Sequence, residues 1–202
     1  MTVDPYASAP RLPEGLSLEL GALLGGRSGP VELELGPGRG GFIVERLRTE
    51  PEARMVGLEI RRKWAATVDQ RLHRLGLAER GRVFAEDARE AVPRLCPGSI
   101  SVVYVNFPDP WWKRRHRKRL LLTPGFVNEL GRVLAPGGEL FVQTDVPERA
   151  QVYEALVQAH AGFEPWGKEA RVADNPRTTP SPRERRASAD GLPIIRLRWR
   201  RI

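Results

Sequence analysis

Short apolar runs alternating with amphipathic stretches constrain the fold of this chain more than any other feature. The strand candidates are Val31–Leu35, Arg54–Glu59, Arg82–Ala85, Ile100–Asn106, Glu139–Thr144 and Ile194–Trp199. Between them lie the helix candidates Gly40–Arg48, Arg61–Leu75, Ala88–Leu95, Thr123–Leu134 and Pro147–His160. Strand–helix alternation of this kind predicts an α/β fold, with a mostly parallel sheet covered by helices on both faces. A chain of 202 residues suffices for one domain with a full core. Residues 1–29 read as an N-terminal arm and helix, with Met1–Pro13 loose, and residues 30–202 as the domain proper. Pro136-Gly137-Gly138 punctuates a helix-to-strand step, and Val172–Arg186, rich in proline and arginine, reads as a loop.

The first strand runs straight into Glu34-Leu35-Gly36-Pro37-Gly38-Arg39-Gly40-Gly41. Glycines there permit a tight turn and let a ligand lie against the backbone. Glu59 closes the second strand, where a carboxylate accepts hydrogen bonds from ribose hydroxyls. Asp87 ends the third, placed for an adenine amino group. A dinucleotide usually accompanies Gly-x-Gly-x-x-Gly, whereas the spacing here is Gly-x-Gly-x-Gly-Gly with Glu34 just before it. A carboxylate at that point repels pyrophosphate but suits an ammonium and a sulfonium. The balance favours S-adenosylmethionine over a dinucleotide.

The fourth strand leads into Asn106-Phe107-Pro108-Asp109-Pro110-Trp111-Trp112-Lys113, followed by Arg114-Arg115-His116-Arg117-Lys118-Arg119. Two prolines exclude a helix interior and a central strand, so Asp109 is expected on a stiff loop at a strand end. In open α/β sheets that edge is where ligands bind. The formal net charge is +8, and arginine outnumbers lysine 29 to 4. Charge alone is weak, since arginine is abundant throughout, but its clustering at Lys113–Arg119 and Arg183–Arg186 points to nucleic acid. Trp111 is read as either a base stacker or a pocket wall. A single cysteine, Cys96, excludes an internal disulfide, and His73, His116 and His160 are too scattered for a metal site. No apolar run approaches a membrane span and no signal-peptide pattern opens the chain, so a cytoplasmic protein is expected.

With both motifs in hand, the chain resembles the bacterial tRNA (guanine-N7)-methyltransferase family from about Pro30 to Trp199. The specific part is Phe107-Pro108-Asp109-Pro110-Trp111 with Lys113 and the basic run; Leu122-Thr123-Pro124 and Gln143-Thr144-Asp145 also fit. The resemblance implies a Rossmann-like class I methyltransferase fold with a seven-stranded sheet, S-adenosylmethionine as methyl donor, and a variable-loop guanosine (guanine 46) of tRNA as acceptor. It places Glu34, Gly36, Gly38, Glu59, Asp87, Asn106 and Asp109 on the cofactor side, Asp109 being also the catalytic candidate. Lys113, Arg114, Arg117, Asp145, Ser181 and Glu184 would meet the tRNA. The family pattern near the C-terminal end is threonine, lysine, aromatic, glutamate; this chain has Ser181-Pro182-Arg183-Glu184, and Thr178 or Thr179 supplies the hydroxyl in another register. Two alternatives stand beside this reading: a methyltransferase of another RNA, a protein or a small molecule, and a non-catalytic RNA-binding module. The expected oligomeric state is a monomer or homodimer.

Overall fold

The computed structural model describes residues 6–25, 28–108 and 120–202. In chain order the elements are β1 (Val31–Leu35), α1 (Gly41–Thr49), β2 (Met55–Leu58), α2 (Arg62–Arg74), β3 (Gly81–Phe84), α3 (Ala88–Ala91) and β4 (Ile100–Asn106). They continue with α4 (Pro124–Val133), β5 (Leu134–Thr144), α5 (Pro147–Gln158), β6 (Phe163–Pro165), β7 (Arg171–Val172), α6 (Pro182–Ala189) and β8 (Ile195–Arg201). Strands β1 to β5 are parallel, in the spatial order β3-β2-β1-β4-β5. Antiparallel β8 adds to β5, and β6 adds to β8, giving a seven-strand path from which two-residue β7 branches. The order reverses between β1 and β4, so the crevice of a doubly wound sheet opens at their carboxyl ends.

Both faces of the sheet are covered, as the alternation requires. Leu33 and Leu35 of β1, Val103 and Val105 of β4, and Leu140 and Val142 of β5 pack with Phe126, Leu130 and Tyr153 from α4 and α5. On the other face Met55, Val83, Tyr104 and Phe141 meet Phe42, Ile43 and Leu47 of α1 and Val68 and Leu72 of α2. Glu32 and Glu34 alternate with Leu33 and therefore point to this second face.

Five local readings change. The third helix is shorter than Ala88–Leu95: α3 ends at Ala91 and a 3-10 turn, Val92–Arg94, takes over. Proline at position 93 has no N–H to continue an α-helical ladder. The Pro136-Gly137-Gly138 step lies inside β5, whose pairing with β4 passes from Leu134 opposite Ile100 to Glu139 opposite Val102. The described part of the N-terminal arm is not loose. The Ala85 N–H donates to the Pro10 carbonyl, Leu12 is buried, and Arg11 grips Glu86. The helix of residues 1–29 is one 3-10 turn, Leu20–Leu23, and Leu12, Leu20 and Leu24 join the same core as β1 and β4.

The largest change concerns Val172–Arg186. Its second part is the start of α6, opened by a capping box in which Ser181 Oγ accepts the Glu184 N–H and Glu184 accepts the Ser181 N–H. The preceding residues are pinned by Arg177, which donates to the Tyr104 hydroxyl and to Glu139. Thr178 reaches Glu50, and the Thr179 and Thr49 hydroxyls lie 2.9 Å apart.

Candidate active site

The carboxyl ends of β1, β2, β3 and β4 surround a cleft of about 640 Å³. Its floor is the turn after β1, where Gly36 (φ 72°) and Gly38 (φ 55°) adopt left-handed conformations that a side chain would strain. Glu59, just past β2, is buried and fixed by two backbone donors: Gly38 N–H to Oε2 at 2.8 Å and Arg61 N–H to Oε1 at 2.9 Å. Each oxygen keeps acceptor capacity for a ligand hydroxyl. Asp87 lines the same cleft and caps α3 by accepting the Arg89 N–H. Hydrogen bonding from Arg89, its guanidinium first, holds the Asp87 carboxyl below the usual range. Ile60 and Leu121 supply apolar wall, so the cleft joins apolar surface to fixed acids.

Glu34 is the unusual group. It is only 3% exposed, and its one side-chain donor among the described residues is Asn106 Nδ2, at 3.3 Å. Burial pushes its carboxyl up to about 8; the nearby Glu59 charge adds to this, while the Asn106 amide and the Ile43 N–H oppose it. Among the described residues Glu34 Oε2 has no hydrogen-bond partner, and neither has Asn106 Oδ1 or Gln143 Nε2. Asn106 and Gln143 are register neighbours on β4 and β5, so three buried polar atoms without partners gather at one end of the sheet. Buried polar groups are paired as a rule, and such a concentration marks a ligand position.

A second cavity of about 180 Å³ adjoins the first, sharing Gly36, Asn106 and Phe107 with it. Glu34, Arg39 and the Ser181–Arg183 start of α6 complete its wall. The α6 terminus can come this close because position 41 is glycine: a Cβ there would lie 2.2 Å from Pro182 Cγ. Arg183 forms an ion pair with Asp145, which follows β5. Phe107 is held at φ 51° while its N–H donates to the Gln143 carbonyl at 2.8 Å. A non-glycine residue in the left-handed region is strained, and such strain concentrates at functional sites.

The sheet edge thus brings together Glu34, Gly36, Gly38, Glu59, Asp87, Asn106, Asp145 and Ser181. Glu184 departs from expectation. It is 4% exposed, with Oε1 taken by Arg196 and Oε2 by Asn175 Nδ2 and the Ser181 N–H. Its carboxylate anchors α6 and is not presented to a substrate. Asp109, Trp111, Lys113, Arg114 and Arg117 lie outside the described residues. Trp64, Ile60 and Arg39 also line the cavities without having been singled out in the sequence. Trp64 had a local signal, a large aromatic in the first turn of the helix that follows Glu59.

A family profile described as putative methyltransferase matches residues 28–197. The tRNA (guanine-N(7)-)-methyltransferase of Myxococcus xanthus is 41% identical over 174 residues, covering 86% of this chain and 84% of that protein. The protein of the same name from Anaeromyxobacter dehalogenans is 43% identical over 180 residues, covering 88% of each. Among solved structures, the 16S rRNA methyltransferase KamB superposes with a TM-score of 0.61 over 90% of both chains, at 17% identity, a likeness of fold alone.

Proposed function

Since the chain belongs to the tRNA (guanine-N7)-methyltransferase family, we propose that it transfers the methyl group of S-adenosylmethionine to N7 of a guanosine in the tRNA variable loop. The observation that carries this reading is the buried, half-satisfied carboxyl of Glu34 in the wall of the smaller cavity, beside Gly36 and Asn106, which line both. A ligand that brings an ammonium and a sulfonium supplies the positive charge this acid lacks. Glu59 would accept the ribose hydroxyls, and Asp87 would face the adenine amino group. The adenosine part of the cofactor would occupy the larger cavity and its methionine end the Glu34 side of the smaller one, where the guanine would meet the methyl group.

Guanine N7 has an in-plane lone pair and no proton, so the reaction needs no general base at the nucleophile. S-adenosylmethionine, when bound, would supply an electrophilic methyl group: N7 would gain the N–C bond, the C–S pair would leave with sulfur, and the positive charge would pass to the purine. The chain's task is alignment, which can be worth ~7–11 kcal/mol of the barrier. A carboxylate at the base edge stabilises the charge that develops there. Asp145 beside the smaller cavity and Asp109, joined to the cleft-lining Pro108, are assigned to that work. Lys113, Arg114 and Arg117 are assigned to backbone phosphates. No helix among the described residues is long and apolar enough to cross a membrane, and the proposed compartment is the cytoplasm.

The test is transfer of labelled methyl from S-adenosylmethionine to unmodified tRNA, followed by chain cleavage at 7-methylguanosine. Transcripts carrying 7-deazaguanosine, in which carbon replaces N7, should accept no label. Label in that substrate, or only in protein or small molecules, would overturn the assignment.

A further inference from the structure

Many arginines among the described residues are internally neutralised. Arg46 pairs with Glu32, Arg82 with Asp69, Arg132 with Glu129, Arg196 with Glu184, and Arg177 and Arg198 with Glu139. Arg39, Arg61 and Lys63 differ from these and, unlike other exposed cations such as Arg48, Arg71 and Arg74, lie at the mouths of the two cavities. All three are exposed, and no described carboxylate pairs with any of them. They converge on the lip of the cleft, around Trp64. The Arg39 guanidinium lies 4.9 Å from the centre of the Trp64 ring and the Lys63 ammonium 5.6 Å. Trp64 and Arg61 line the larger cavity and Arg39 the smaller, so the cluster spans both mouths.

We propose that Arg39 and Lys63, held against Trp64, and Arg61 beside them form a tRNA-binding lip on the glycine-turn side of the cleft. This rests on the substrate assigned above. The partner chemistry is a polyanionic backbone: three exposed cations without described carboxylate partners take up phosphates with no internal ion pair to break first. The ring supports Arg39 and Lys63, so these two project from a stiff base rather than as free side chains. The lip is separate in sequence from the basic run at Lys113–Arg119, so its contribution can be removed without touching that run.

The test compares two variants of equal charge change. Arg39→Gln/Arg61→Gln/Lys63→Gln empties the lip. Arg48→Gln/Arg71→Gln/Arg74→Gln removes three exposed cations from the last turns of α1 and α2, at the far ends of the same region. Binding of unmodified tRNA is measured by fluorescence anisotropy across a salt series without cofactor. Each phosphate contact accounts for roughly 0.7–0.9 of the slope of log K against log salt. The lip variant should bind about tenfold more weakly at ~0.15 M salt, with a slope smaller by about two. The control should stay within twofold of the parent. Equal weakening in both variants means that binding follows net charge, and unchanged binding in the lip variant means that RNA does not touch this face; either result overturns the proposal. If the parent methylates N7 while the lip variant binds normally, the lip alone fails. If the parent binds no tRNA, lip and substrate assignment fall together.

Discussion

Glu32 and Glu34 sit two residues apart on the same face of β1, yet their surroundings are opposite. Glu32 accepts two hydrogen bonds from Arg46, at 2.9 and 3.1 Å, and one from the Tyr104 hydroxyl at 2.9 Å. Its network continues through Arg177 to Glu139 and Arg198, which closes it. Among the described residues Glu34 has one side-chain donor, Asn106, and one oxygen without a partner. The first region is finished as folded; the second keeps an unused acceptor, which is what the binding role proposed for Glu34 requires. The contrast assigns a structural role to the acid surrounded by cations and leaves the acid without them for a ligand.

One substitution made in both regions breaks the comparison most sharply. Glu139→Gln leaves Arg177 and Arg198 without their anion, and breaking a buried pair costs about 3–5 kcal/mol. For a chain of this size that is a fall in Tm of roughly 6–20 °C. Calorimetry should show it, together with loosening of residues 175–184 in hydrogen exchange. A Tm within 2 °C or so of the parent would mean that the network is not structural. Glu34→Gln should leave Tm unchanged or raised, because the carboxyl that it replaces is costly to ionise in the unliganded protein. The same variant should lower kcat/KM by on the order of 10²-fold through KM for S-adenosylmethionine, a loss of about 2.7 kcal/mol. Loss of stability without loss of cofactor affinity would reverse the roles assigned to the two acids.

The pH dependence sharpens the contrast further. Glu34 is raised to about 8, so the unliganded protein holds a proton there at neutral pH. An ammonium or sulfonium favours the charged form, so cofactor binding expels that proton. Affinity should rise up to about tenfold per pH unit towards 8 and level off above it. Titration calorimetry in buffers of different ionisation enthalpy reads the released proton directly. A folded pKa above the unfolded one also means that stability from Glu34 is full below about 4.5 and is lost as pH rises through about 8. Glu34→Gln should abolish both trends; if affinity is flat from pH 6 to 9, Glu34 does not meet the cation. The smallest effect is expected at Phe107. Phe107→Gly relieves a left-handed strain of about 1–2 kcal/mol but adds backbone freedom of nearly similar size. Chemical denaturation should register a change of no more than about 1 kcal/mol, while KM for tRNA rises as the wall of the smaller cavity is lost.

How far the sequence reached depended on how local the signal was. The bounds of β1 and β4, the left-handed glycines after β1 and the backbone-held carboxylate after β2 all rest on patterns within a few residues, and such patterns survive folding. Residues 172–186 held one such pattern, Ser181-x-x-Glu184 with proline at the first helical position. The proline and arginine around it suggested a loop instead, and the Arg196 contact and the close approach to Gly41, which position the helix, are long-range.

Read alone, the amino-acid sequence determined the α/β alternation, the ligand-binding edge and most of the acids along it, because periodicity and turn chemistry are properties of neighbouring residues. Only the tertiary structure decided which acids were already satisfied. Arg177 reaches Tyr104 across 73 positions and Glu139 across 38, and Glu34 was left without such a cation. Which side chains meet over those separations is set by sheet order and register, and these exist only once the chain has folded.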